Sequence, residues 1–328
     1  MKRLICFIWV WCMVFASWAG IHTYSTESVL NSGNIIKIRV SESGVHVIPY
    51  DSLTTWGLKA ESVCVLGYGG AMLSENFMNE RYDDLPPVSI YMHKGADNVF
   101  NSGDYILFYA QGPVQWQMDK NGDWRHIQNP YSNYGYYFVS DKQSLQRTIA
   151  LSPTQYDTTN VEDVNWHVAN YVHEQDLVNL IDVYGTSGGG REFYGETMNQ
   201  KNKTLSITFP SHNVRTDMNA RCHVYMAAYA GNVVPIKISY AGNNTIKKIS
   251  PVSISDNYTK AVVDTTTMSL RPSSSGEQKI ALHFNGTESS ATAYLNYIEL
   301  NVPCDLVMTG NEMLITNTQL LNRKPVMR

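Results

Sequence analysis

The sequence is short of cysteine. It has five in 328 residues. Cys6 and Cys12 fall inside an apolar leader, which leaves Cys64, Cys222 and Cys304. So few thiols, so widely spaced, do not make the disulfide framework of a small secreted scaffold, and an apolar core must hold the chain. One bridge among the three stays open, with no pairing fixed by spacing. Basic charge is also scarce: 25 Lys and Arg stand against 29 Asp and Glu, a net charge of −4. No basic stripe marks a nucleic-acid footprint, and the mild, dispersed acidity speaks only for solubility. Beyond the leader no apolar run is long enough to span a bilayer. Tandem repeats and heptads are absent too.

The N-terminus has the layout of a secretory signal peptide over 1–19. Lys2 and Arg3 precede the apolar run Leu4–Phe15, and Ser17-Trp18-Ala19 places small residues for cleavage after Ala19. No small residues precede Cys6 or Cys12 in the manner of a lipoprotein cleavage site, so no lipid anchor is expected.

After the leader the pattern is that of strands, and the fold class read from it is all-β, with two β-domains. Asn34–Val40 alternates, Ser41–Gly44 turns and Val45–Pro49 returns, which predicts a β-hairpin. Asp51 is placed to cap one short helix near residues 52–57, closed by Gly57. Ser62–Leu66, Val88–His93, Asp104–Ala110 and Tyr136–Ser140 follow as strands. Asn121-Gly122 between Gln115–Asp119 and Asp123–His126 is a strong hairpin signal. Ser152–Asp163 is polar and sets the expected boundary between an N-terminal β-domain, 20–160, and a second domain, 161–303. In the second, short strands over Thr204–Phe209, Arg221–Tyr229, Pro235–Tyr240, Thr245–Ile249, Lys260–Asp264, Gln278–Phe284 and Ala293–Asn301 predict a β-sandwich of jelly-roll type. Gly185–Gly190 is read as a flexible loop. Residues 304–328 read as the start of a linker or of an interrupted next domain.

No catalytic, cofactor or metal site is expected. Cys222-His223 suggests a nucleophile and a base, but neighbours in a strand point to opposite faces, so both are read as structural. Cys64 sits in an apolar strand and is read as core. His167, His173, Glu174 and Asp176 form a polar cluster. Its two histidines, six residues apart on a strand, would share a face but stand too far apart for a zinc pair. Asp119-Lys120-Asn121-Gly122-Asp123 resembles the start of a calcium loop, but Trp124 and Pro130 stand where that loop needs Gly and Glu. Gly67–Gly70 and Gly188–Gly190 lack the Lys-Ser/Thr of a phosphate loop and are read as turns. Trp116, Trp124, Tyr131, Tyr134, Tyr136 and Tyr137 could stack on sugars or pack a partner, and packing within the sheet is the expected role.

An ordered set of stretches resembles the N-terminal region of the PorU family, the gingipain-like cysteine peptidases that act as sortases of the type IX secretion system in Bacteroidetes. The most specific stretch is Phe100-Asn101-Ser102-Gly103-Asp104-Tyr105-Ile106-Leu107-Phe108-Tyr109-Ala110-Gln111-Gly112-Pro113. Leu66-Gly67-Tyr68-Gly69-Gly70, Asn129–Phe138, Gly190–Glu196 and Tyr294–Leu300 continue it in order. The resemblance implies β-domains ahead of a peptidase domain that carries a His after a Gly and a nucleophilic Cys. It also implies export to the periplasm or outer-membrane cell surface. The implied partners are an outer-membrane β-barrel and the missing peptidase domain. No Gly-His-Gly stretch is present, and no cysteine lies in a matching context, so the chain as it stands is not expected to be an enzyme. The expected role is docking or positioning within such a sortase. The alternative is a sugar-binding or adhesive β-sandwich of the cell surface.

Overall fold

Short runs of β-branched and aromatic residues, punctuated by Gly- and Asn-bearing turns, fold into a chain made almost wholly of strands. The computed structural model describes residues 24–76, 78–79, 81–150, 162–180, 192–253, 261–317 and 325–327. The leader over 1–19, the boundary stretch 152–161 and the Gly185–Gly190 loop lie outside the described residues.

The first half carries β1 (Ile35–Val40), β2 (Gly44–Pro49), β3 (Cys64–Leu66), β4 (Pro87–Val88), β5 (Ile90–His93), β6 (Tyr105–Ala110), β7 (Val114–Met118), β8 (Trp124–Gln128), β9 (Gly135–Ser140) and β10 (Thr148–Ile149). Two four-stranded sheets, β1-β9-β3-β4 and β10-β5-β6-β2, face each other. Val40, Val65, Tyr137 and Val139 from one meet Ile48, Ile90, Ile106 and Phe108 from the other in a single core. Each aliphatic side chain fully buried there contributes about 1.5–3 kcal/mol. The helix α1 (Tyr50–Thr55) adds Leu53 to the same core.

Two local expectations are corrected. β1 and β2 do not form a hairpin: β1 pairs with β9 and β2 with β6, in opposite sheets. Alternation along each strand is the same for a hairpin and for an arch between sheets. The distant partners decide, and the bend is pinned where Ser43 Oγ accepts from Gly112 N at 2.9 Å and from Gln111 Nε2 at 2.8 Å. Asp51 does not cap α1; Pro49 holds that position without a side-chain bond, and the Asp51 carboxylate takes the Ser102 hydroxyl at 3.1 Å. Gly57, at φ +75°, does end the turn.

The second half carries β11 (Glu162–Val164), β12 (Trp166–Glu174), β13 (Thr197–Met198), β14 (Thr204–Pro210), β15 (Ala220–Tyr229), β16 (Val234–Tyr240), β17 (Asn243–Ile249), β18 (Val262–Leu270), β19 (Glu277–Phe284), β20 (Thr292–Asp305) and β21 (Pro325–Met327). One sheet runs β12-β20-β15-β18 with β13 beside β20; the other runs β14-β19-β16-β17. That interleaving of early and late strands is the double Greek key of a jelly roll. Cys222, Val224, Met226, Ile298 and Leu300 pack against Ile236, Ile238, Ile280, Leu282 and Phe284.

Along β20 the inward row is Ala293 and Leu295, then Ile298, Leu300, Val302 and Cys304. The change of parity comes from a register shift opposite Tyr225/Met226, which leaves Asn296 as the extra residue. After β20 the chain returns along β12: Val168 N donates to Thr316 O, and Asn317 Nδ2 donates to Trp166 O. On the way Glu312 Oε2 accepts from Val45 N at 2.9 Å, tying this strap to the first sandwich.

A Cβ on Gly135 would stand 2.6 Å from Gln111 O, and one on Gly112 would stand 2.7 Å from Glu42 C. Both obstacles are backbone. Gly135→Ala is therefore expected to cost about 3 kcal/mol, the upper end for overpacking. Gly122→Ala, at φ +83° with open space around it, should cost about 1 kcal/mol from its backbone conformation alone. Denaturant midpoints of the two variants check the order.

Candidate functional site

Asp119 and Gly122 make the turn of the β7–β8 hairpin. Asp119 Oδ1 accepts from Asn121 N at 2.8 Å and from Asp123 N at 3.0 Å, and Gly122 adopts φ +83°. The residues that resembled a calcium loop are this turn. Among the described residues the hairpin pairs only within itself, and it lies on the outer face of the jelly-roll sheet β12-β20-β15-β18. That face carries Glu174 from β12, Tyr297 and Glu299 from β20, and Arg221, His223 and Tyr225 from β15.

Glu299 is the centre. It sits in mid-strand, its side chain 1% exposed, where an unpaired carboxylate would be costly. The hairpin supplies its partners. Glu299 Oε1 accepts from His126 N at 2.8 Å and meets His126 Nδ1 at 2.5 Å. Arg125 Nη1 lies 2.8 Å from Glu299 Oε2, and Arg125 Nη2 donates to Tyr297 Oη at 2.8 Å. The other imidazole nitrogen of His126, Nε2, bonds Glu174 Oε2. Tyr297 stands edge-on to the His126 ring, with centroids 4.7 Å apart. Burial alone would depress His126; the carboxylates of Glu174 and Glu299 outweigh it and hold the imidazole at about 9. His126 is thus an imidazolium at neutral pH.

A second pair fixes the turn. Arg221 grips Asp123 with two bonds, Nε to Oδ1 at 2.8 Å and Nη2 to Oδ2 at 2.7 Å. His223 lies 3.5 Å from the same carboxylate and bonds Thr267 Oγ1 at 2.7 Å. Burial, then the Arg125 charge, holds His223 below its ordinary value.

Beside the hairpin lies a cleft of about 1400 Å³. Gln115, Gln117 and His126 line one side, with Asp176, Asn296 and Tyr297 among the residues opposite. The Asp176 carboxyl is raised by burial and by Glu174.

The residues singled out from sequence separate. Cys222 points into the jelly-roll core while His223 faces the hairpin, as strand alternation requires. Cys64, Cys222 and Cys304 are free and buried. Burial raises all three thiols, Cys222 to about 12 and Cys304 to about 11, so they are poor nucleophiles. His167 is buried, and burial lowers it. His173 bonds Glu196 at 2.7 Å. Glu174 turns to His126 instead, so that cluster does not converge. Among the described residues no group of three or more His, Cys, Asp or Glu is placed to hold a metal ion. The aromatics form no single row: Tyr137 is core, Tyr136 and Tyr134 lie under Lys37 and Arg39, and Tyr131 is exposed.

The network of Asp123, Arg125, His126, Arg221 and Glu299 was not read from sequence. Its one signal was the set of charged residues within the apolar strands Ala220–Tyr229 and Thr292–Asp305.

No family model matches the chain, and no curated protein does. Among solved structures it is similar to dimeric latent PorU from Porphyromonas gingivalis, with 26% identity and a TM-score of 0.74 over 88% of this chain. The chain is PorU-like. It spans 26% of the length of that PorU chain. A carbohydrate-binding module in complex with calcium and xylotriose overlaps at 16% identity and a TM-score of 0.26, over 40% of this chain and 98% of that one. A xylanase module from the hindgut metagenome of Trinervitermes trinervoides overlaps at 11% and 0.27, over 44% and 100%. Likeness that slight supports no argument about fold or ligand.

Glu299→Ala strands the His126 and Arg125 charges and should cost about 3–5 kcal/mol, read by chemical denaturation. Cys64, Cys222 and Cys304 should resist a thiol reagent at neutral pH in the native protein and react in full once it is unfolded.

Proposed function

We propose that the chain is the non-catalytic front portion of a type IX secretion sortase and that it docks or positions the peptidase domain on the outer-membrane surface. The likeness to PorU over most of the chain supports this reading most directly. The chemistry of the described residues agrees with it. The thiols are buried and raised, and the charged side chains around Glu299 are consumed in holding the hairpin to the jelly roll. Two sandwiches joined by a docked hairpin and a strap make a stiff spacer, which suits a positioning role better than a catalytic one. Surface attachment through a partner, an outer-membrane β-barrel, is part of this proposal; no described helix is long and apolar enough to cross a membrane.

The purified chain, presented to the isolated peptidase domain and to the barrel in separate biolayer experiments, should bind at least one of them. Binding to neither sinks the docking role. A glycan array run beside them covers the adhesive alternative: hits there, with no protein partner, would move the chain to that class.

A further inference from the structure

We propose that the β7–β8 hairpin is a proton-held latch: it stays closed while His126 is charged and releases when His126 loses its proton, opening the cleft beside it. His126 lies between two carboxylates that approach its opposite ring nitrogens, Glu299 at Nδ1 and Glu174 at Nε2. An imidazolium donates to both. A neutral imidazole donates from one nitrogen and turns a lone pair on the other carboxylate. Its side chain is 4% exposed, so water does not readily replace the lost bond.

The groups around it do not cancel this effect. From the hairpin itself come Trp116 and Arg125. Arg125 keeps Glu299 paired after His126 is neutral, but among the described residues no second cation pairs with Glu174. Beyond Glu174 lies Asp176, another acid. From β20 comes Tyr297, and from β15 come Tyr225 and His223, with Arg221 held on Asp123. Burial raises Tyr297 and Tyr225, so both phenols stay neutral through the window. His223 is shifted downward and is neutral throughout.

The sign follows from linkage. His126 is held at about 9 in the folded protein against an ordinary value of 6.5. Its contribution is therefore complete below about pH 6.5 and is lost as pH rises through about 9. Because Gln115, Gln117, His126, Ile127 and Gln128 line the cleft, a freed hairpin exposes the sheet beneath it.

Hydrogen exchange on the full chain tests the latch, with rates corrected for intrinsic base catalysis. Protection over 114–128 should fall at least tenfold between about pH 7 and pH 10. Amides 174–180 should follow, and the core strand 234–240 should not. His126→Gln should show low hairpin protection at both pH values, with no further drop. Glu174→Gln should move the midpoint down by about one pH unit, because one of two carboxylates holding the proton is gone. Flat hairpin protection in the native chain overturns the latch, as does a His126→Gln variant that keeps the native pH dependence. If His126→Gln loses protection in 234–240 as well, it has not folded and Glu174→Gln decides: an unmoved midpoint rejects the proposal.

Discussion

A carboxylate in the middle of a sheet constrains the rest of this molecule. Glu299 lies on β20 between β12 and β15, shielded from water. Left alone it would cost several kcal/mol or take up a proton. It is instead answered by a guanidinium, an imidazolium and a backbone N–H, all delivered by one hairpin from the other half of the chain. The hairpin itself is small and has no sheet neighbours among the described residues, and two strands alone are marginal in water. Each side thus depends on the other: the jelly roll tolerates Glu299 because the hairpin docks, and the hairpin is ordered because Glu299, Glu174 and Arg221 hold it. Strap and hairpin together hold the two sandwiches at two separate points, Val45 with Glu312 and His126 with Glu299.

This arrangement also keeps the three buried thiols apart from the charged groups around Glu299. A nucleophile needs a group that ionises readily beside a base. Here Cys222 and Cys304 face the jelly-roll core and Cys64 is buried, while the charged groups around Glu299 pair with one another. The outcome is a docked hairpin held to the sheet by the polar residues around Glu299, with a cleft where the two meet. Buried charge of this kind specifies one docking geometry more than it adds net stability.

β16 and β19 of the jelly roll were legible because their side-chain rows alternate at period two. Ile236, Ile238 and Tyr240, or Ile280, Leu282 and Phe284, declare an inward face on their own. The β7–β8 hairpin was legible from Asn121-Gly122 alone, since that turn has few other uses. β12 was met only as the strand taken for His167 and His173, and its full span was not read, because His167, Asn170, His173 and Glu174 break its apolar alternation. Those residues are tolerated because the strap, Glu196 and the hairpin cover them, and all three lie far away in sequence. The arch at Ser41–Gly44 was misread for a similar reason: local alternation does not reveal which sheet a strand will join.

The sequence by itself determined the strand content, the all-β class, the turn at Asn121-Gly122 and the burial of Cys64 and Cys222, since each follows from side-chain type and spacing within a few residues. The tertiary structure alone decided that β1 and β2 part company, that Asn296 shifts the register of β20, and that His126 ends between Glu174 and Glu299. Those outcomes depend on partners 48 and 173 residues away. A charge on a strand reads the same whether water or an opposite charge will meet it, and only the folded chain makes that choice.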